Sequence, residues 1–334
     1  MSTKIKPSQG APYARIMGVG GYRPIRVVPN EVILETIDSS DEWIRSRSGI
    51  ATRHWASPEE TVSAMSVEAA GKAIADAGIT PEQIGGVIVS TVSHFKQTPA
   101  IATEIADKIG AVKPAAFDIS AGCAGFGYGL TLAKGMVVEG SAQYVLVIGV
   151  ERLSDLTDLE DRATAFLFGD GAGAVVVGPS KDPQIGPTVW GSEGDKSDTI
   201  KQTVPWDDYR NGTVEKFPAI TQEGQAVFRW AVFEMAKVAQ QALDAAGITA
   251  DDLDVFIPHQ ANMRIIDSMV KTLKLPEHVT VARDVETTGN TSAASIPLAM
   301  ERLLATGQAK SGDTALVIGF GAGLVYAATV VTLP

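Results

Sequence analysis

The chain has 334 residues, of which 45% are apolar and 20% charged, a composition typical of a globular protein long enough for two hydrophobic cores. Its 28 Lys and Arg residues stand against 39 Asp and Glu residues, and the resulting net charge of −11 disfavours nucleic acid and anionic membranes as partners. Because the chain has one cysteine and only four histidines, without metal-ligand spacing, we expect no disulfide within the chain and no metal site.

The apolar segments are too short to cross a membrane. The longest, such as residues 144–150 and 314–320, fall well below the roughly 18 residues that a membrane span requires. No apolar signal-peptide region stands at the N-terminus, and the first ten residues lack apolar periodicity, which predicts a loose tail. We therefore expect a soluble, cytoplasmic protein.

Buried strands and helices are predicted in alternation along the chain. Four apolar, β-branched segments are predicted to be strands: residues 87–91, 145–150, 255–258 and 314–318. A helix is predicted at residues 129–138, and Gly78 and Gly247 stand where a helix needs a left-handed C-terminal residue. The alternation of strands and helices predicts an α/β fold.

The chain repeats itself at half its length. Residues 76–84 (DAGITPEQI) recur as residues 245–253 (AAGITADDL) at an offset of 169. The tetrapeptide LVIG occurs at residues 146–149 and again at 316–319, an offset of 170. A fixed offset between matching segments indicates a duplicated architecture.

The repeat also predicts how two halves of the molecule meet. We place the N-terminal half at residues 1–182 and the C-terminal half at residues 183–334, with the Pro- and Gly-rich residues 179–218 at their junction. A weaker match sets Gly122 and Cys123 against Gly289 and Asn290 at an offset of 167. Because a pseudo-two-fold axis brings equivalent positions together, we expect Cys123 and Asn290 to meet there.

Cys123 is the first candidate functional residue. It lies in a strand-to-helix turn of small residues, where helix N–H groups and the helix dipole are expected to lower the pKa of a thiol. A lone cysteine more often has a buried structural role, in which it behaves as a small apolar side chain. Small neighbours favour the nucleophile, since they let a substrate approach the backbone.

His259 and Asn290 are the second and third candidates. His259 directly follows the strand at residues 255–258, at the end of a strand where ligand sites of α/β sheets collect. Alone, a histidine is more often a hydrogen-bonded core residue, and Asn290 alone is compatible with an N-cap of the helix that follows it. The duplication is what combines Cys123, His259 and Asn290 into one predicted constellation.

Two Gly-rich segments raise a dinucleotide-binding alternative. Residues 169–173 (GDGAG) and 319–323 (GFGAG) both continue into β-branched sequence rather than a helix, and no acidic ribose partner follows the second at the required distance. We therefore interpret both as tight turns between strands. The second is placed so that it can offer a backbone N–H to an oxyanion.

Basic residues stand out on this acidic chain. They are Arg229, Arg264, Lys271 and Lys274. The last three recur near helical spacing, which is typical of a solvated helix face but also suits docking of an acidic partner or a phosphate.

Three motifs together resemble a known enzyme family. Residues 121–126 (AGCAGF), 258–265 (PHQANMRI) and 289–295 (GNTSAAS) resemble the signature segments of β-ketoacyl-acyl-carrier-protein synthase III, the condensing enzyme that starts fatty-acid synthesis. The resemblance extends from about Ala14 to the C-terminus. It implies the thiolase fold, in which two similar halves form a five-layered α-β-α-β-α sandwich, and a homodimer.

The resemblance also implies a mechanism and its residues. It places the nucleophile at Cys123, the catalytic histidine and asparagine at His259 and Asn290, and the oxyanion hole at the backbone N–H groups of Cys123 and Ala322. The implied reaction joins an acyl-CoA primer to malonyl-acyl carrier protein through an acyl-cysteine intermediate and uses no cofactor. The residues expected to hold coenzyme A are Trp43, Arg47, Arg162 and Asn262; those expected to contact the acidic carrier protein are Arg264, Arg229, Lys271 and Lys274; those expected to line the primer pocket are Thr98, Phe168 and Phe320.

Three residues depart from the family pattern. Ala322 replaces the middle glycine of a Gly-Gly-Gly loop, an exchange that keeps the backbone N–H. Gln225 stands where an asparagine is frequent and is expected to alter a coenzyme contact. Thr98 replaces an aromatic side chain that closes the primer pocket across the dimer in straight-chain members, which predicts room for branched or longer primers.

Several alternatives remain open on sequence grounds. The closest is a starter-unit ketosynthase or acyltransferase of a polyketide or secondary-metabolite pathway. Elongating synthases carry a second histidine where Asn290 stands, and type III polyketide synthases are typically longer and need no carrier protein. An NAD-dependent Rossmann oxidoreductase and an inactive paralogue acting as a binding subunit are the alternatives from other classes; the intact Cys123, His259 and Asn290 argue against the latter.

Overall fold

A computed structural model describes residues 5–334 of the chain. The strands in this part are β1 (Tyr13–Tyr22), β2 (Arg26–Pro29), β3 (Thr52–Trp55), β4 (Ile84–Ser90), β5 (Ala115–Ile119), β6 (Tyr144–Arg152), β7 (Asp170–Ser180), β8 (Val189–Ser192), β9 (Ile200–Gln202), β10 (Ile220–Gln222), β11 (Val255–Pro258), β12 (Thr280–Val281), β13 (Thr314–Gly321) and β14 (Val325–Thr332). The α-helices are α1 (Asn30–Ile33), α2 (Asp41–Ser48), α3 (Val62–Asp76), α4 (Ile101–Ile109), α5 (Gly125–Glu139), α6 (Trp206–Arg210), α7 (Gly224–Ala246), α8 (Met263–Leu273), α9 (Val285–Thr288) and α10 (Ser295–Ala305). All four predicted strands are present.

Two five-stranded sheets with the same strand order form the framework. The first has the order β1-β7-β6-β4-β5, and the second, from its edge strand, has the order β8-β14-β13-β11-β12. In the first sheet β4 runs parallel to β5 and β6, whereas β6–β7 and β7–β1 are antiparallel. The second sheet repeats this pattern strand for strand. The duplication predicted from the sequence is confirmed.

Helices and sheets alternate in five layers. Helices α3 and α4 cover the outer face of the first sheet, α5 and α10 fill the space between the sheets, and α7 and α8 cover the outer face of the second. The expected α-β-α-β-α sandwich is therefore the observed architecture.

Each central strand serves two cores at once. In β6, Val145 and Val147 point into the core between the sheets, while Leu146 and Ile148 point into the outer core under α3 and α4. Because both faces of the strand are buried, its sequence is continuously apolar rather than alternating. The LVIG segments of both halves lie in strands that are buried on both faces in this way.

The structural repeat corrects the predicted pairing of Cys123 with Asn290. A 3-10 turn at Gly122–Ala124 precedes α5, and a 3-10 turn at Ser292–Ala294 precedes α10, so the offset is 292 − 122 = 170. Gly122 and Ser292 even share a φ of +47°. The counterpart of Cys123 is Ala293, and the predicted pairing at an offset of 167 is wrong by three residues. The two turns pack against each other between the sheets.

The two Gly-rich segments differ from each other. Residues 319–323 connect β13 to the antiparallel β14, which confirms the predicted tight turn, and no helix follows as a dinucleotide site requires. Residues 169–173 instead enter β7, so the predicted turn there is wrong. A Cβ on Gly173 would lie 2.7 Å from the Pro297 ring of α10, so this glycine permits close packing of helix on sheet.

The N-terminal segment is irregular, and the boundary between the two halves lies in a connection between strands. Residues 5–10 are exposed and lack regular secondary structure, and the rest of the predicted tail lies outside the described residues. The last strand of the first sheet ends at Ser180 and the first strand of the second begins at Val189, so the predicted boundary at 182/183 falls between them. None of the helices between residues 5 and 334 is both long and apolar enough to cross a membrane.

Substitution of Gly149 tests the close approach of the two halves. A Cβ at position 149 would lie 2.1 Å from the backbone oxygen of Ala293, which cannot swing aside as a side chain would. We expect Gly149→Ala to lower the free energy of unfolding by about 3 kcal/mol or more. Gly135→Ala is the matched control, because a Cβ at this helical position meets nothing within 4 Å. The control is expected to raise the free energy by roughly 0.5–1 kcal/mol; equal effects of the two substitutions in urea unfolding would contradict this account.

Candidate active site

Three side chains from distant parts of the chain line one inner cavity of about 190 Å³. Cys123 lies on the turn before α5, His259 directly follows β11, and Asn290 follows α9. The structure therefore places a thiol, an imidazole and a carboxamide around the same small space. The structure thus brings together the three residues that the sequence combined into one predicted constellation.

The Cys123 thiol is protonated in this environment. Burial, reinforced by the negative charge of Glu151, raises the pKa of the thiol to about 12, although a hydrogen bond with Ser292 acts in the opposite direction. The pKa expected to be lowered by the helix N-terminus is thus raised. The physical reason is that the thiolate would lose its hydration between two packed sheets.

The β13–β14 turn packs directly against the turn that carries Cys123. A Cβ on Gly321 would lie 2.9 Å from the Cys123 sulfur and 3.0 Å from its backbone nitrogen, so a side chain does not fit there. Ala322 follows and lines the inner cavity. Cys123 and Ala322 therefore lie side by side on the wall of the cavity, where the sequence analysis placed the oxyanion hole.

His259 is buried and uncharged. Desolvation lowers the pKa of its imidazole to about 3, so the ring stays neutral at any physiological pH. The Phe320 ring contacts it edge-on, with ring centroids 5.5 Å apart. A neutral imidazole can donate one hydrogen bond without carrying a charge into the cavity.

Ser295 determines which imidazole nitrogen carries the proton. Its hydroxyl oxygen lies 2.7 Å from Nδ1 of His259 and accepts the backbone N–H of Gln260 at 3.4 Å. Since the hydroxyl accepts from Gln260, its own proton is free for Nδ1, and we assign the imidazole proton to Nε2 on this network. His259 therefore presents an Nε2–H donor.

Asn290 is held so that its amide nitrogen remains available. Its side-chain oxygen accepts the backbone N–H of Ser292 at 2.9 Å, and its backbone bridges to the segment at Phe168. Asn290 is therefore not the N-cap considered from the sequence: the turn at Ser292–Ala294 is preceded by Thr291 and α10 by Ala294, and the Asn290 oxygen closes a local turn instead. Its Nδ2 has no hydrogen-bond partner within residues 5–334.

An outer cavity of about 780 Å³ leads to the inner one. Both cavities are lined by Gln222, Val227, Ala261, Ile265 and Asn290. The thiol is therefore connected to the surface through a passage between α7 and α8.

Two arginines and a tryptophan form the far wall of the outer cavity. The guanidinium groups of Arg162 and Arg47 lie 5.0 Å and 5.9 Å from the centre of the Trp43 ring. Such cation–π pairs present flat faces and positive charge together. Asn262 also lines this cavity, but its oxygen caps Arg264 and its Nδ2 donates to the backbone of Arg47.

The basic residues separate into two groups. Arg229 of α7 and Arg264 of α8 line the outer cavity. Lys271 and Lys274 are exposed at the other end of α8, and Lys271 is about 10 Å along the helix from Arg264 at 1.5 Å per residue. The structure therefore does not bring the four together at the entrance.

The three predicted primer-pocket residues also separate. Phe168 and Phe320 are buried and line the inner cavity. Thr98 is exposed and does not line the inner cavity of its own chain within the described residues.

Three residues near the site were not predicted from the sequence. Ser292 and Ser295 hydrogen-bond with Asn290 and His259, and Glu151 is a fully buried carboxylate that accepts from Val92 and Ser93. Ser292 and Ser295 lie in the motif that contains Asn290, and this neighbourhood is an available signal. Glu151 is a carboxylate near the end of an otherwise apolar buried strand, which is itself unusual.

Comparisons with known proteins agree with this geometry. Residues 117–194 match the family model described as 3-oxoacyl-[acyl-carrier-protein (ACP)] synthase III, and residues 243–333 match the model of its C-terminal part. A β-ketoacyl-[acyl-carrier-protein] synthase III of Streptomyces glaucescens is 88% identical over 332 residues, covering 99% of this chain and 100% of that protein. The chain belongs to the 3-oxoacyl-[acyl-carrier-protein] synthase III family.

More distant synthases and solved structures extend this relationship. A mycobacterial synthase III of Mycobacterium marinum is 54% identical and covers 99% of each chain. The priming β-ketosynthase of the R1128 polyketide pathway is 46% identical, with a TM-score of 0.96 and coverage of 100% of this chain and 99% of that one. The synthase III of Aquifex aeolicus is 38% identical, with a TM-score of 0.88 and coverage of 96% and 99%.

Membership of the synthase III family defines the enzyme class. The chain is an acyltransferase of the condensing-enzyme type with the thiolase fold, and its family acts in fatty acid biosynthesis. The oxidoreductase alternative is set aside, because neither the fold nor the relatives support it.

The protonation state of His259 is testable by nitrogen NMR. Because burial lowers its pKa to about 3, we expect a neutral Nε2–H imidazole at pH 5.5, where an ordinary histidine is mostly charged. The signal is assigned by its loss in His259→Gln. Unfolding in urea is expected to restore titration near the ordinary value, about 6.5. Titration of the folded-state signal between pH 5 and 8 would contradict the assignment.

Proposed function

We propose that this synthase III chain transfers an acyl group from acyl-CoA to Cys123 and then condenses it with malonyl-acyl carrier protein. The observation that carries the proposal is the convergence of the Cys123 thiol with two neutral donors, at His259 and Asn290, in one buried cavity with access from the surface. A thiol alone would support acyl transfer. A decarboxylation also needs hydrogen bonds to the enolate oxygen that forms, and the two donors can supply them.

In the loading step, the Cys123 sulfur attacks the thioester carbonyl of the primer. A C–S bond forms to Cys123, the C–S bond to coenzyme A breaks, and the coenzyme leaves as a thiol. One thioester replaces another, so the step is close to balanced in free energy. The backbone N–H groups of Cys123 and Ala322 stabilise the oxyanion of the tetrahedral intermediate.

In the condensation step, His259 and Asn290 act on the malonyl thioester. Nε2–H of the imidazole and Nδ2–H of the amide donate to its carbonyl oxygen while carbon dioxide leaves and enolate charge develops. The enolate carbon then attacks acyl-Cys123 and releases the sulfur. Donors that are already oriented in a dry cavity stabilise the enolate more than the uncharged ground state, which is the condition for rate acceleration.

The outer cavity suits the coenzyme A portion of the primer. Trp43 offers a face for the adenine ring, and Arg47 and Arg162 offer positive charge for the phosphates. The side-chain polar atoms of Asn262 are already engaged, so its contribution is to join α2 to the start of α8 rather than to bind the coenzyme directly.

The acidic carrier protein is expected to dock at the mouth of the same cavity. Arg229 and Arg264 flank this mouth, and Arg264 is supported by its contact with the Phe228 ring at 4.9 Å. Lys271 and Lys274 extend the positive surface along α8 and would contribute to attraction over a distance rather than at the entrance.

Two further expectations belong to this proposal. The enzyme works in the cytoplasm as a homodimer, in which Thr98 of one subunit borders the primer pocket of the other. The exposure of Thr98 in the single chain is compatible with this arrangement. A threonine in place of an aromatic ring leaves space for branched or longer primers.

Priming of a polyketide pathway is the second candidate function. The solved structure with a TM-score of 0.96 is described as a priming β-ketosynthase of such a pathway. The two functions share the chemistry above and differ in the carrier protein. Turnover rates with fatty-acid and polyketide carrier proteins, measured with one primer, distinguish them.

Cys123→Ser tests the covalent intermediate. With radiolabelled acetyl-, isobutyryl- or longer acyl-CoA, we expect the wild-type chain to carry the label on the peptide that contains Cys123. The hydroxyl of the variant is far less nucleophilic than a thiol, so labelling is expected to disappear, while circular dichroism verifies an unchanged fold. A serine variant labelled at the wild-type rate, or label on another peptide, would refute the assignment.

His259→Ala and Asn290→Ala separate the two half-reactions. Each is expected to slow decarboxylation of malonyl-carrier protein by about 10²–10³-fold, because each removes one donor from the enolate oxygen. Primer loading is expected to change far less. The matched controls are His278→Ala and Asn211→Ala, which lie outside both cavities and should alter neither step. Equal loss of loading and decarboxylation would count against a separate role for the two donors.

A further inference from the structure

Trp230 stands between the inner cavity and a groove on the surface. It lies in the second turn of α7 and is only 6% exposed. The groove has a volume of about 410 Å³. Among residues 5–334, Trp230 is the one residue that lines both the inner cavity and this groove. Its indole ring is therefore the partition between the two spaces.

The spacing of residues along α7 produces this arrangement. Val227 and Trp230 are three residues apart and line the inner cavity. The groove is lined from the same helix by Ala226, Trp230 and Phe233, at intervals of four and three residues. Phe233 is 64% exposed, so the groove is open to solvent. Trp230 is thus the position at which the cavity face and the groove face of the helix meet.

Contacts at both ends hold the indole ring in place. On the cavity side it meets the Phe320 ring edge-on, with ring centroids 6.1 Å apart, and Phe320 in turn meets the His259 ring. At its polar end, Nε1–H donates to the Glu193 carboxylate at 2.8 Å. Glu193 is itself anchored, because its backbone N–H donates to Leu324 at 2.8 Å and its carboxylate pairs with Lys196. Moving the ring therefore breaks a hydrogen bond to a charged group.

The inner cavity suits a short aliphatic chain. Its volume of about 190 Å³ is smaller than the roughly 300–1,000 Å³ typical of pockets for drug-sized ligands. Most of its lining is apolar, including the side chains of Leu153, Leu156, Phe168, Ile200, Ile220 and Val227. Such a cavity accepts an alkyl chain but limits its length.

We propose that Trp230 is a specificity-determining residue that sets the upper limit on the length of the primer. The inference rests on the proposed function, because the primer is the acyl group that Cys123 receives there. The substrate class that the ring admits is the short saturated acyl groups that fit beside it. This limit is set within one subunit and is separate from the space that Thr98 is expected to leave at the subunit boundary.

A primer longer than the limit must displace the indole ring. Protein interiors are closely packed, so the ring cannot yield by compression and must give up its hydrogen bond to Glu193. Removal of the ring would join the inner cavity to the groove. The end of a longer chain would then enter the groove, where Phe233 and Leu324 offer apolar surface.

Trp230→Ala provides the central test. Single-turnover acylation of Cys123 is measured by mass spectrometry with acetyl-, butyryl-, octanoyl- and dodecanoyl-CoA. We expect wild type to load the two short primers much faster than the two long ones. In the variant, the rate with octanoyl-CoA relative to acetyl-CoA is expected to rise by about 10–100-fold, a discrimination that apolar pockets achieve between chain lengths. Loading with acetyl-CoA is expected to stay within about threefold of wild type, because the reacting groups are unchanged.

Trp190→Ala and Trp230→Phe are the matched controls. Trp190 is half-exposed, packs on the Tyr128 ring and lines neither space in the described part of the chain, so its removal should leave the ratio unchanged. Phenylalanine keeps an aromatic ring in the partition and gives up only the hydrogen bond to Glu193. Its shift is expected to be well below that of alanine.

Two results with acyl-CoA would overturn the inference. The first is a wild-type chain that loads octanoyl-CoA as fast as acetyl-CoA. The second is a Trp230→Ala variant that keeps the wild-type ratio, because the limit would then lie elsewhere in the pocket.

A second readout does not depend on acyl transfer. Cys123 is the only cysteine of the chain, so alkyl methanethiosulfonates label it without ambiguity, forming a mixed disulfide and releasing methanesulfinate. The labelling rate with the octyl reagent relative to the methyl reagent is expected to rise in Trp230→Ala. If wild type forms no acyl-Cys123 from any acyl-CoA, it is the proposed function that fails. The labelling ratio still decides the role of Trp230 in that case, and an unchanged ratio would refute it.

Trp230→Leu keeps the test decisive if Trp230→Ala does not fold. Loss of a large buried side chain leaves a cavity that destabilises the core, and leucine fills part of it. We expect a ratio between those of wild type and the alanine variant, with circular dichroism verifying the fold. Equal loss of loading with all four primers in Trp230→Leu would overturn the inference, because that pattern indicates a structural role.

Discussion

The site depends on the contact between two short turns that lie back to back between the sheets. The turn at Gly122–Ala124 carries Cys123, the proposed nucleophile, and its counterpart at Ser292–Ala294 follows Asn290. Backbone meets backbone here because the facing strands carry Gly149 and Gly319, whose missing side chains leave room for Ala293 and Cys123. The two halves thus contain equivalent turns, and only the first of them carries a thiol.

Burial sets the protonation of both Cys123 and His259. The same desolvation that keeps the His259 imidazole neutral also keeps the Cys123 thiol protonated. The first effect suits a hydrogen-bond donor, whereas the second opposes a nucleophile. A dry cavity that keeps the imidazole neutral therefore also disfavours the thiolate.

Repetition and double-sided burial of strands made the architecture predictable. The segments at residues 146–149 and 316–319 occupy equivalent strands, as their identity indicated. The three motifs identified residues that line the cavity. They did not predict the register between the two halves or the direction of the pKa shift of Cys123. The offset of Cys123 was misassigned by three residues because a two-residue match carries little information. The direction of its pKa shift was wrong because local sequence shows a helix start but not the second sheet that seals it.

The shared passage between the two cavities constrains the order of events. In the proposed mechanism, primer and carrier-bound extender reach the thiol through the same opening between α7 and α8, so they do not occupy it together. The proposed reaction is therefore ping-pong: coenzyme A departs before the second substrate docks.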